Sequence, residues 1–246
     1  MSTQTAYPTS AVAAPPAKGG FFDDLLGLWL SPREAYARLL AAPNLWVPLI
    51  GLALLQGLFA WVWLAQVDIV AYSRAQALAA GHELPPTPAP QSAYDFIKLA
   101  IGMSMFLLAP VVAFALAGVL AFVYNFVLGD EVDYGRCVAV SAWATLATGL
   151  VTVPLTLLVL LLENDWTIAP QNALATHVGA WLEPGAVGPG WLSLCQSLDL
   201  TSFWMLFLLA VGMSVAAGRS LRSSTHALLG LWATYVLIKS AWAALF

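Results

Sequence analysis

Charge is scarce in this sequence. Only 9% of its 246 residues are Asp, Glu, Lys or Arg, against 61% that are hydrophobic. A soluble domain carries about 25% charged residues, so a water-exposed globule of this length lacks the polar side chains to cover its surface. Cysteine is nearly missing. Cys137 and Cys195 are far apart, form no CxxC pair and specify neither a disulfide framework nor a thiolate metal site. Positive charge is short as well. Nine Lys and Arg stand against 13 Asp and Glu, a net charge of −4 without the basic stripe of a nucleic-acid binder. The three histidines do not converge: His82 and His177 fall in loops on one side of a ~30 Å bilayer core and His226 on the other. No metal centre and no cofactor are expected. HExxH, GxSxG and GxxxxGK[ST] are all absent, and no catalytic residue is assigned. Tyr94-Asp95 and Leu128-Gly129-Asp130 come near the paired-aspartate motifs of intramembrane proteases. They flank one helix, however, ~50 Å apart, whereas catalytic carboxylates must share a site.

Long apolar runs are abundant. A bilayer core of ~30 Å needs about 20 apolar residues as helix, and five stretches qualify: roughly 45–66, 98–128, 138–162, 200–218 and 226–246. The fold class is therefore all-α, a multi-pass transmembrane bundle of five spans. The second stretch would be ~46 Å long as one helix, so it must tilt, kink at Pro110 or protrude. Trp46, Trp61 and Trp63 bracket the first span as an aromatic belt would, and Trp166, Trp181 and Trp191 suggest a loop resting on the membrane surface. Residues 1–20 read as a disordered, uncleaved tail, since they lack a basic region followed by an apolar core. With the N-terminus cytoplasmic, six of the Lys and Arg lie inside and the long loop 163–198, which has none, lies outside. The expected topology is N-terminus in, C-terminus out, in a cell inner membrane.

Ahead of the first span, residues 21–41 are amphipathic and too charged to cross, and they predict an interfacial helix or helix pair. Ser31 and Glu34 have capping-box spacing around Pro32, and Glu34 and Arg38 have the spacing of an i,i+4 pair. The polar inventory inside the spans is short. Gln56 lies in span one and Asn125 near the inner end of span two; Ser141, Thr145, Thr148 and Thr152 form one face of span three. Such a hydroxyl face is read first as interhelical glue. Gly212 with Ala216, and Ser214 with Gly218, are small-xxx-small pairs that permit close approach of another helix to span four. Lys239 is the one charge deep in a span. Snorkelling would relieve it. The sharper expectation is an ion pair with Asp199 at the start of span four, with Asp95 as the second candidate partner.

Three stretches carry a resemblance: LSPREAYARLLAAPNLWVPL at 30–49, YNFVLGDEVDYGRCVAVSAWATL at 124–146 and LDLTSFWMLFLLAVGMSVAAGRS at 198–220. In this order the chain resembles the Yip-domain family, membrane proteins that interact with Ypt/Rab GTPases, together with their bacterial relatives. The resemblance implies a five-helix membrane domain over residues 21–246, a cytoplasmic N-terminus and no transferable enzymatic activity. The short N-terminal region and long outer loops are similar to a bacterial-type member, for which a Rab partner is not expected. The expected function is non-enzymatic: a scaffold or organiser working by helix–helix or membrane-surface association. Its partners would be the lipid bilayer, with a second copy or another membrane protein. A small transporter or channel using the polar face of span three is the alternative.

Overall fold

The computed structural model describes residues 20–79, 90–182 and 187–245. Its elements are helical throughout: α1 Phe21–Leu30, α2 Pro32–Ala41, α3 Trp46–Gln66, α4 Ile69–Ala79, α5 Gln91–Phe122, α6 Tyr134–Glu163, α7 Pro170–Ala173, α8 Pro189–Ser197, α9 Leu200–Ala216 and α10 Leu221–Leu245. A π-helical turn, Val123–Val127, continues α5, and a 3-10 turn, Val178–Trp181, precedes α8. Residues 1–19, His82 and the proline-rich stretch before Pro90 lie outside the described residues.

Among the described residues, four helices are long and apolar enough to cross a membrane: Trp46–Gln66, Gln91–Val127, Tyr134–Glu163 and Leu221–Leu245. The expected fourth span is shorter than the others. Its helix, α9, has 17 residues, about 25 Å at 1.5 Å per residue, because Gly218 stops it. Gly218 has φ +65°, and the Arg219 N–H bonds back to the Ser214 carbonyl at 3.0 Å, the left-handed stop that glycine favours. Gly218 therefore ends α9, and a Cβ there would meet nothing within 4 Å, so it does not provide the close approach of another helix that its spacing from Ser214 suggested.

Side chains cap the helices where the sequence supplies carboxylates. Asp133 accepts the Arg136 N–H at 3.3 Å to start α6, and Asp199 accepts the Ser202 N–H at 2.8 Å to start α9. Ser31 behaves differently from the capping-box expectation. Its side chain caps nothing, and its carbonyl takes the Glu34 and Ala35 N–H groups, both at 3.1 Å. Arg38 turns away from Glu34 to Asp24 of α1, Nε to Oδ1 at 3.3 Å, because the α1–α2 hairpin brings a carboxylate to a part-buried site while Glu34 points to solvent.

The core centres on α6, whose residues Cys137–Ala144 are almost fully buried among α3, α5, α9 and the hairpin. Small side chains make this possible. Ser141 donates to the Ala113 carbonyl of α5 at 2.7 Å, and Thr145 back-bonds to the Ser141 carbonyl at 2.8 Å. Of the face read as interhelical glue, only Ser141 bridges two helices in this way; Thr145 bonds within its own helix, and the buried Thr148 hydroxyl has no partner among the described residues. The hairpin belongs to the same core: Trp29 Nε1 donates to the Ala147 carbonyl at 3.2 Å, and Tyr36 is fully buried with its hydroxyl 3.5 Å from the Val140 carbonyl. Burial pushes the Tyr36 phenol far above its ordinary pKa.

A second cluster, Phe59, Trp63, Val67 and Leu160, occupies the other end of α3 and α6. Here the belt expectation is corrected in part. Trp46 and Trp61 are exposed, but Trp63 is fully buried, edge-on to Tyr72 with ring centroids 5.0 Å apart. Trp166 packs against the same cluster, while Trp181 and Trp191 stay exposed. The α4 helix covers this end, and its Gln76 donates to the Thr167 carbonyl at 3.1 Å.

Candidate functional site

The polar chemistry of the molecule gathers in two places, one at each end of the bundle. At the α1–α2 end, two tight turns face each other. One follows the π-helical turn, where Gly129 takes φ +71° and leads to Asp130; the other is the Gly218 stop, which leads to Arg219. Each turn therefore presents a charged residue directly after a left-handed glycine. Arg219 Nε lies 2.8 and 2.6 Å from the two Asp130 carboxylate oxygens, and its Nη2 donates to the Leu128 carbonyl at 2.7 Å. Hydrogen bonding to Asp130 raises the Arg219 pKa.

The clamp ties the α5–α6 turn to the α9–α10 turn. Asn125 stiffens the first of these: its side chain donates to the Val132 carbonyl at 3.0 Å and accepts the Val132 N–H at 2.8 Å. Asn125 was expected to be a polar residue within span two; here it is spent on its own turn. Beneath the clamp, Tyr124 and Ser224 bury their hydroxyls next to each other. Phe21, Asp24, Arg38, Asn44 and Trp143 line a cavity of about 270 Å³ between the hairpin, α6 and the start of α3.

The second polar gathering surrounds Asp199 at the α8 end. Its carboxylate accepts from the Thr176 hydroxyl at 2.5 Å, from the Thr201 hydroxyl, and from the Ser202 N–H and hydroxyl at 2.8 and 3.1 Å. Burial pushes the Asp199 pKa up, but these hydrogen bonds outweigh it and hold the carboxyl below its ordinary range. Backbone bonds Val178 N–H to Leu198 O at 3.1 Å and Leu200 N–H to Thr176 O at 3.2 Å sew the preceding loop to this cap.

The expected Lys239–Asp199 ion pair is not formed. Lys239 Nζ donates instead to the Ser197 hydroxyl at 3.4 Å, and Asp199 has its acceptor sites filled by neutral donors. The two ion pairs among the described residues are Arg38–Asp24 and Arg219–Asp130. Asp95 does not serve Lys239 either; it accepts from Gln91 at 3.3 Å on the exposed start of α5. Gln56 is half-buried and bonds to no described residue. Gly212 does what its spacing promised. A Cβ there would lie 2.6 Å from Val140 Cγ1 and 3.0 Å from the Tyr36 ring, so α9 touches both α6 and α2 at this glycine. Ala216 and Ser214 are buried nearby, Ser214 donating to the Val211 carbonyl at 2.7 Å. Cys137 is buried and Cys195 half-buried, both as free thiols.

The Asp130–Arg219 clamp and the Thr176 contact were not read from the sequence. A signal for the clamp was present: Gly129-Asp130 and Gly218-Arg219 are opposite charges after glycines that end apolar runs on the same side. Nothing in the sequence singled out Thr176 among the hydroxyl residues of its loop.

The comparisons agree with this architecture. Neither curated proteins nor solved structures provide a match to the chain. The Yip1 domain matches residues 26–243, from within α1 to the last turn of α10. The match takes in the hairpin, both clamped turns and the Asp199 cap, and the chain belongs to the Yip1 domain family.

Proposed function

We propose that this chain is a non-enzymatic inner-membrane protein of bacterial type that works by association, as a scaffold or organiser. It crosses the bilayer five times with α9 as a short fourth span, its N-terminus cytoplasmic and its C-terminus outside. The observation that carries the reading is the outward face of α1. Phe22, Leu26 and Leu30, at i, i+4 and i+8, are 74%, 50% and 82% exposed, while Leu25 and Leu28 on the opposite side are buried in the bundle. A helix apolar on both sides is fixed to the protein by one face and offers the other to the membrane surface or a partner. The α1–α2 hairpin is then an amphipathic interfacial device built into the core through Trp29 and Tyr36.

The transport reading draws less support. The hydroxyls of Ser141, Thr145 and Ser214 and the amide of Asn125 are engaged with backbone groups, and Lys239 and Gln56 belong to different helices without a shared polar neighbour. Purification in mild detergent with mass spectrometry of co-purifying molecules, paired with solute flux into proteoliposomes, tests the proposal. Expected are a stoichiometric membrane partner lost in a Phe22→Ser, Leu26→Ser, Leu30→Ser variant, and flux no faster than in empty vesicles. Saturable flux that a Thr148→Val variant abolishes would overturn it.

A further inference from the structure

A cleft of about 430 Å³ opens sideways between α5, α9 and α10, lined by Leu116 and Val119 of α5, Leu209 of α9, and Leu228, Trp232 and Ile238 of α10. Volumes of about 300–1,000 Å³ are those of small-molecule sites. The Thr234 hydroxyl at its margin donates to the Gly230 carbonyl of its own helix at 2.9 Å, so the walls present no free polar group from that residue. Along α10 the cleft runs from Leu228 to Ile238, about 15 Å at 1.5 Å per residue, half of a hydrocarbon core of ~30 Å. Its length is that of one leaflet.

The residue that follows Ile238 is Lys239, which also lies one turn beyond Tyr235 on the cleft-facing side of α10. Its side chain is exposed, donates to Ser197 and forms no ion pair with a described residue. Two exposed tryptophans lie close to it. Trp191 on α8 and Trp242 on α10 are 68% and 65% exposed, as aromatics at the membrane–water boundary are. Close packing fixes α8 at that level, since a Cβ on Gly190 would lie 2.9 Å from the Ser240 carbonyl of α10. A cation with no ion pair among the described residues thus stands beside two exposed tryptophans, at the end of an apolar cleft one leaflet long.

We propose that this cleft holds one acyl chain of an anionic phospholipid whose phosphate pairs with Lys239. The aliphatic walls take the chain, Trp232 closes the cleft against it, and the ammonium supplies the charge complement the headgroup requires.

Native mass spectrometry of the full chain in mild detergent, with phosphatidylglycerol and phosphatidylcholine of identical chains added in equal amounts, tests this. One phosphatidylglycerol per chain should be retained at least ten-fold more tightly than phosphatidylcholine. Lys239→Gln should bring phosphatidylglycerol down to the phosphatidylcholine level and leave the latter unchanged. Val119→Trp, which fills one lip, should lower both lipids; Ile238→Trp at the opposite lip serves the same purpose if Val119→Trp fails to fold. Elution volume and thermal midpoint identify the folded variants. Equal retention of the two lipids by the wild-type chain would overturn the proposal. So would unchanged retention in a folded Lys239→Gln or lip-filling variant, or a lipid-free dimer in which the cleft is covered by a second copy.

Discussion

Glycine at position 212 is replaceable on paper by alanine, the better helix former, and the structure predicts that this exchange does harm. In an open helix position the exchange is worth up to about 1 kcal/mol in favour of alanine. At Gly212 the new methyl would sit 2.6 Å from Val140 Cγ1 and 3.0 and 3.1 Å from two atoms of the Tyr36 ring, where carbon atoms prefer about 3.5–4.0 Å. Neither neighbour can withdraw, because Val140 and Tyr36 are both 0% exposed. Overpacking of a closed core costs about 1–3 kcal/mol, so Gly212→Ala should be destabilising by about 1–2 kcal/mol net. Gly212→Leu should lose more than ~3 kcal/mol or fail to assemble. Gly230 supplies the control: it lies inside α10, and a Cβ there meets nothing within 4 Å. Gly230→Ala should therefore match or exceed the wild type, and Leu206→Val, on the half-buried side of α9, should be tolerated. The assay is the thermal midpoint in one detergent, read by loss of the monodisperse elution peak. A Gly212→Ala midpoint equal to that of Gly230→Ala would refute the close contact of α9 with α6 and α2.

Three further expectations come from the same contacts. Asp130→Ala and Arg219→Ala should each lower the thermal midpoint, and the double variant should lose clearly less than their sum; Arg219→Lys should restore little, since a point charge cannot reproduce the guanidinium bonds to Asp130 and Leu128. The Asp199 carboxyl titrates below its ordinary range in the folded chain. Its contribution is therefore present above about pH 4 and lost as pH falls through the depressed folded value; Asp199→Ala should cost about 0.5–2 kcal/mol at neutral pH and flatten the acid limb of stability against pH. Maleimide should modify half-buried Cys195 in the native protein and reach buried Cys137 only after unfolding, as mass spectrometry of the two peptides would report.

The apolar runs made the fold class legible because a bilayer imposes both length and composition on a helix. That residues 21–41 are a helix or helix pair outside the spans was also legible, since Asp23, Asp24, Arg33, Glu34 and Arg38 resist crossing; that they fold as a hairpin into the core was not. Partner choice was less legible. The sequence offered Glu34 to Arg38 and Asp199 to Lys239 by spacing and by side of the membrane; the structure gives Arg38 to Asp24 and Lys239 to Ser197. Which charges meet depends on how turns fold back; the Asp130–Arg219 contact, for one, is set by two left-handed glycines and a π-helical turn with no periodic signature. Trp63 illustrates the same point for an apolar residue. Its position near the end of a span suggested the membrane boundary, yet α4 folds over it and Tyr72 meets its ring.

The account depends most on whether α9, 17 residues long, crosses the bilayer and so places the two ends of the chain on opposite sides. In a background with Cys137→Ala and Cys195→Ala, Arg33→Cys reports the exposed start of α2 and Leu245→Cys the exposed end of α10. Labelling with a membrane-impermeant maleimide before and after permeabilisation decides the matter. Five crossings with a cytoplasmic N-terminus predict that position 245 is labelled in intact cells and position 33 only after permeabilisation. Labelling of both positions under the same condition would contradict the account, because an even number of crossings would leave α9 outside the membrane.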